Sequence, residues 1–178
     1  MRPRLLVTTI GTPVGAAWDA RTVQAPELLH SARTECALLW DLDNVTPRKR
    51  HLASLAAALS ELTGADGLKF AAARRGTFRA VREQLAGHGI QALSGGTRRN
   101  GADRVLLAQA RTLSRVGVQS FVVASNDHRF SRIAALGNLH VVTLDQSGLS
   151  SRLMVGACSV TKLVLSDNGW HLESLSRF

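Results

Sequence analysis

Glu35-Cys36-Ala37-Leu38-Leu39-Trp40-Asp41-Leu42-Asp43-Asn44 is a short apolar run that ends abruptly in acids. Such a run, with no alternation of polar and apolar positions, fits a strand buried on both faces, as in a parallel sheet covered by helices. The acids then mark its carboxyl end, where polar chemistry can reach solvent. Downstream, Thr46-Pro47 offers an N-cap followed by proline at the first helical position, which predicts an alanine- and leucine-rich helix through about Leu62, closed by Thr63-Gly64. The same alternation continues along the chain. Strands are expected at 68–73, 90–93, 120–124 and 139–144, with helices at 77–86, from the turn holding Asp103 to about Val116, near 128–136 and at 150–158.

Alternating strands and helices imply an α/β fold with a central five-stranded parallel sheet flanked by helices. Residues 1–34 mix Pro, Gly, Thr and Arg without a sustained period and read as an extension, 35–165 as the domain, and 166–178 as a tail. Segments 161–165 and 170–172 flank Asp167-Asn168-Gly169, a hairpin turn signal. The loop 94–101 (Ser-Gly-Gly-Thr-Arg-Arg-Asn-Gly) reads as flexible and basic.

Length and composition narrow the classes of function. At 178 residues the chain suits one domain with extensions, and its 45% hydrophobic and 20% charged content suits a folded core. The net charge is +9 and the pI about 11.3, with the excess concentrated between Lys69 and Arg115. That stretch carries Lys69, Arg74, Arg75, Arg79, Arg82, Arg98, Arg99, Arg104, Arg111 and Arg115 against Glu83 and Asp103. A field of this sign attracts polyanions, and RNA bound through its phosphates is the expected partner. With no tyrosine and 4% aromatic residues, a flat platform for stacking bases is not expected. Cys36 and Cys158 form no Cys-x-x-Cys pair, so neither a zinc site nor a disulfide framework is expected. Residues 2–17 faintly resemble a secretory leader, but the apolar run is short and broken by Gly11 and Pro13. A cytoplasmic protein with no membrane partner is the expectation.

Four aspartates stand out against this basic background: Asp41, Asp43, Asp103 and Asp127 all fall where strands end or helices begin. Two carboxylates about 4 Å apart repel by roughly 4 kcal/mol at an effective dielectric near 20, so gathering them calls for a cation. Open parallel sheets collect functional groups beyond the carboxyl ends of their strands, where strand order reverses. If the first and fourth strands are neighbours, Asp41, Asp43 and Asp127 converge, and Asp103 closes the cluster from a helix start. Hard oxygen donors without a soft ligand favour Mg2+ or Mn2+. As a lone residue, each acid also has a plainer role: Asp103 as a helix-start acid, Asp43 as a loop or cap acid.

Together, Asp41-Leu42-Asp43-Asn44 after an apolar strand, Asn100-Gly101-Ala102-Asp103 with Leu106 opening a helix, and Val122-Val123-Ala124-Ser125-Asn126-Asp127 with Phe130 resemble the NYN domain, a branch of the PIN-like metal-dependent ribonucleases. The similarity runs from about Ala37 to Leu165. It implies a PIN-like three-layer sandwich and a Mg2+- or Mn2+-dependent endoribonuclease leaving 5′-phosphate and 3′-hydroxyl ends. By position, Asp41, Asp103 and Asp127 would be the catalytic, metal-holding acids, with Asp43 as a fourth acid on the metal. Asn44 and Ser125 would support them. Arg74, Arg75, Arg98, Arg99, Arg104 and Arg129 are the candidate RNA contacts. Homodimers are common among PIN-like proteins, although no motif here specifies one.

One residue departs from that pattern. Many members carry a second acid two residues beyond the one matched by Asp127, and here Arg129 occupies the position. A carboxylate replaced by a guanidinium should weaken a second cation, leaving a one-metal site or a non-catalytic RNA-binding module. The segment Asp41-Leu42-Asp43-Asn44-Val45-Thr46 also resembles the first motif of haloacid-dehalogenase-like phosphatases, with Asp41 as nucleophile, Asp43 as acid/base and Ser125 as the second-motif hydroxyl. That family needs a later lysine and then an acidic pair. Asp145 and Lys162 stand in the wrong order for it.

Overall fold

A computed structural model describes residues 8–10 and 36–175. The extension expected over residues 1–34, and the leader-like stretch within it, lie outside the described residues except for strand β1, Thr8–Ile10. The remaining strands are β2 (Cys36–Asp41), β3 (Leu68–Ala73), β4 (Gln91–Ser94), β5 (Ser120–Ala124), β6 (Asn138–Thr143), β7 (Ser159–Ser166) and β8 (Gly169–Ser174). The helices are α1 (Leu52–Glu61), α2 (Arg75–Ala86), α3 (Gly101–Arg115) and α4 (Ser151–Gly156), with a long 3-10 segment at His128–Ala135.

The strands form one sheet of eight in the order β1-β8-β7-β6-β5-β2-β3-β4. All neighbours from β4 to β7 are parallel, while β8 and β1 join antiparallel at the far edge. The five expected parallel strands are therefore present, but the five-stranded sheet is corrected to a larger one. Residues 161–165 belong to a sixth parallel strand. Its hairpin partner β8 lies in the segment expected as a tail, with Trp170 buried and its indole N–H donating to Ser54 Oγ of α1 at 3.0 Å. The hairpin signalled by Asp167-Asn168-Gly169 is present, but nothing in its own residues shows that it extends the sheet beyond β6.

Strand order reverses between β2 and β5, and the helices divide accordingly. Along β2, Ala37 and Leu39 belong to the core shared with α3, while Leu38 and Trp40 belong to the core shared with α1. This two-sided burial explains the unbroken apolar run. Leu52, Leu55 and Leu59 of α1 and Leu85 of α2 cover one face; Leu106, Leu107 and Ala110 of α3 with Phe130 and Ile133 cover the other. The helix expected at Thr46-Pro47 begins later, at Leu52, after a 3-10 turn at Lys49–His51. Thr46 is not its cap, because its hydroxyl donates back to the Leu42 carbonyl. Cys36 is a free thiol whose pKa burial pushes up to about 11, which leaves it protonated and unreactive.

His140 on β6 is buried, and desolvation holds its pKa below the ordinary histidine value. Its Nδ1 pairs with Ser159 Oγ at 2.8 Å, while Nε2 has no hydrogen-bond partner. A histidine whose folded pKa is depressed favours the fold fully above its unfolded pKa of about 6.5, and that contribution is lost as pH falls through the lower folded value. Wild type should therefore lose more stability than His140→Leu between pH 7.5 and pH 5, as read from urea midpoints. Equal losses would show that His140 is not held neutral.

Candidate functional site

Asp41 closes β2 and, by the two-residue period of the strand, lies on the same face as Ala37 and Leu39, the face packed by α3. Ser125 follows β5 with the same parity as Phe121 and Val123, and β5 pairs with β2 in register, Trp40 opposite Ala124. The two side chains thus meet at the reversal point of the sheet. Ser125 Oγ donates to Asp41 Oδ2 at 2.9 Å, the Asn44 amide donates to the same oxygen, and the Asp43 backbone N–H donates to Oδ1 at 3.1 Å. Asp41 is 0% exposed. Burial pushes its pKa from 3.8 up to about 6; the Asn44 and Ser125 bonds oppose that rise, and Asp103 nearby adds to it.

Asp103 is delivered to the same place by the first turn of α3 and is 4% exposed. Burial first and the Asp127 charge second hold its carboxyl above the usual range, against the pull of Arg129. Asp127 follows β5, and its Oδ1 caps the 3-10 segment by accepting from the Arg129 backbone N–H at 2.8 Å. Its own N–H donates to Ser125 Oγ at 3.2 Å, and His128 Nδ1 stands 3.2 Å from Oδ1. Arg129 Nη1 then reaches both remaining acids, 2.7 Å to Asp127 Oδ2 and 3.2 Å to Asp103 Oδ2.

Asp43 is not part of this convergence. Its carboxylate turns toward α2, accepting the Arg74 backbone N–H at 3.2 and 3.3 Å, with Arg74 Nε 3.6 Å from Oδ1. The remaining arginines share the carboxyl edge of the sheet with the pocket. Arg74 and Arg75 follow β3, Arg98 and Arg99 lie in the loop after β4, and Arg104 stands beside Asp103 on α3; all five are exposed. Arg129 differs from them, since its guanidinium is turned inward onto carboxylates rather than outward onto the rim.

For a divalent cation the donor chemistry is right on one side of the pocket only. Asp41 and Asp103 offer hard oxygens, and burial holds both carboxyls above their usual range. Mg2+ bound by one or two carboxylates and several waters is an ordinary arrangement. Among the described residues, however, no three ligating side chains gather in a way that could hold an ion. The expected set of Asp41, Asp103, Asp127 and Asp43 is thus divided: Arg74 takes Asp43, and Arg129 takes Asp127 and shares Asp103.

Several residues that hold this arrangement carried no signal read from the sequence. A Cβ on Gly101 would fall 1.8 Å from the Gly95 carbonyl oxygen, and one on Gly95 would fall 2.4 Å from Ala102 N. The two glycines let the loop close tightly on the start of α3. That loop is pinned by Gly95 N–H to Ala73 O at 2.8 Å and Arg75 N–H to Gly96 O at 2.9 Å, so its glycines serve close approach rather than flexibility. Asn126, before Asp127, accepts from the buried Thr143 hydroxyl at 2.6 Å and ties the end of β5 to β6. A Gly-Gly and Asn-Gly pair around the loop was the available clue to the first. Nothing local marks the second, because Thr143 lies on another strand.

Among the described residues no helix is long and apolar enough to cross a membrane. No family profile and no curated protein matches the chain. A solved structure from Vibrio parahaemolyticus RIMD 2210633, described as a protein of unknown function, is similar in fold, with a TM-score of 0.56 and 17% identity over 76% of this chain and 94% of its own.

Proposed function

We propose that the chain is a metal-dependent endoribonuclease of the NYN kind, working in the acidic pocket at the reversal point of the sheet. The observation that carries this reading is the burial of Asp41 beside Asp103 with both carboxyls held above their usual range, at the edge where five arginines stand exposed. A pair of desolvated acids at this place is costly to keep, which is common where a site is arranged for a charged ligand. Asp41 and Asp103 would hold Mg2+ or Mn2+. When bound, such an ion activates a water and neutralises charge on the phosphate.

The protein's own groups supply the rest. Ser125 and Asn44 fix the Asp41 carboxylate, and Asp127 caps the segment that presents Arg129. Arg98, Arg99, Arg74, Arg75 and Arg104 bind the RNA backbone through phosphates, which positions the strand without reading its sequence. A second reading, an RNA-binding module that does not cut, is favoured by the Arg129 ion pairs. The turned-away Asp43 gives no support to a phosphatase. Incubation of the purified protein with mixed-sequence single-stranded RNA separates the two main readings. Cleavage in Mg2+ or Mn2+ that EDTA stops supports the nuclease; salt-sensitive binding that EDTA leaves intact, with no cleavage at any metal concentration, supports the module.

A further inference from the structure

Arg129 is placed unlike the other arginines of this edge. Its side chain is 34% exposed, and one nitrogen, Nη1, lies within 3.2 Å of two carboxylates that come from different elements, α3 and the 3-10 segment. After burial, the Asp127 charge adds to the cost of ionising Asp103, and the guanidinium between the two acids offsets it. A divalent ion serving both acids would have to stand where Nη1 now stands, and it would be repelled by the guanidinium if that group stayed close.

We infer that Arg129 is the built-in cation of the Asp103–Asp127 half of the pocket, so that the site takes up a single divalent ion, on the Asp41 side, and binds it more weakly than the acids alone would. This rests on the reading of the pocket as a metal centre. Arg129 is a positioning residue in this scheme. It sets where Asp103 points and how many ions the acids accept.

Manganese titration of the full chain, by calorimetry and by electron paramagnetic resonance of free Mn2+, tests this without RNA. Wild type should bind one Mn2+, Arg129→Gln should bind it at least tenfold more tightly, and Arg129→Asp should bind a second ion. Arg129→Lys, which keeps the charge, should stay near wild type. The cap made by the Arg129 backbone N–H survives every one of these changes, so the fold should persist, and circular dichroism verifies it. Unchanged or weaker binding by Arg129→Gln, or two ions already present in wild type, overturns the inference. RNA cleavage measured on the same samples keeps the two claims apart. A wild type that cuts, with Arg129→Gln binding no tighter, sinks the inference alone; a wild type that does not cut, with tighter binding in Arg129→Gln, sinks the nuclease reading alone.

Discussion

Asp41→Asn should lower metal-dependent RNA cleavage by about a thousandfold while making the metal-free protein more stable at pH 7. The two effects have one cause. Asp41 is fully buried, and its pKa stands near 6 because the charged form is poorly solvated where it sits. At pH 7 the carboxylate is mostly ionised and the fold bears that cost; a neutral amide of the same shape does not, and the gain should be about 1–3 kcal/mol. The amide can still accept from the Asp43 N–H, and Asn44 can rotate its own amide to pair with it. Loss of the anionic oxygen removes a hard ligand that the proposed ion on this side of the pocket would use, at several kcal/mol of barrier. Cleavage rates and urea denaturation in EDTA check the two halves. A destabilised Asp41→Asn would mean that the carboxylate is well paid for by Ser125, Asn44 and the Asp43 N–H, and that no ligand is needed there.

Gly101→Ala should be the most damaging single-methyl change near the site. The added Cβ would meet the Gly95 carbonyl oxygen at 1.8 Å, and neither partner is a flexible side chain that can swing away. The loop or the first turn of α3 must move, at about 3 kcal/mol. Asp103 rides on that turn two residues later, so cleavage should fall further, by about a hundredfold for a displacement near 1 Å. Gly76→Ala is the matched control. It lies in α2 with nothing within 4 Å of the added methyl, and removing helix glycine freedom should raise stability by about 0.5–1 kcal/mol. Similar stabilities for the two variants would show that the Gly95–Gly101 approach is not a constraint.

Much of the frame was legible in the residues because two-sided burial writes itself as unbroken apolar runs. The run 36–40 and the run 120–124 announced β2 and β5, and the acids after them announced the edge where the pocket lies. What the sequence could not give was pairing. β7 and β8 form a hairpin, but that β7 lies parallel to β6 and that β8 is covered by β1 from the other end of the chain depends on hydrogen bonds their own residues do not encode. The same limit applied within the site. Asp43 and Asp41 are two residues apart and look equivalent in the sequence, yet the chain has left the strand between them, and Arg74 of another element captures Asp43. Arg129 was visible as a departure from the resemblance, but that it reaches back to Asp103 as well as Asp127 depends on how α3 meets the 3-10 segment. Gly95 and Gly101 looked like flexibility for the same reason: a close approach exists only once the loop has closed.

The claim at the centre is that this pocket cuts RNA with a divalent ion. The measurement that tests it most directly follows a 5′-labelled single-stranded RNA through three conditions in one sample: Mn2+ present, EDTA in excess, and Mn2+ restored. The account predicts cleavage that starts, stops and resumes, with a 3′-hydroxyl on each labelled fragment and no detectable cleavage by Asp41→Asn over the same time. RNA left intact throughout, or cleavage that continues in EDTA, would contradict it.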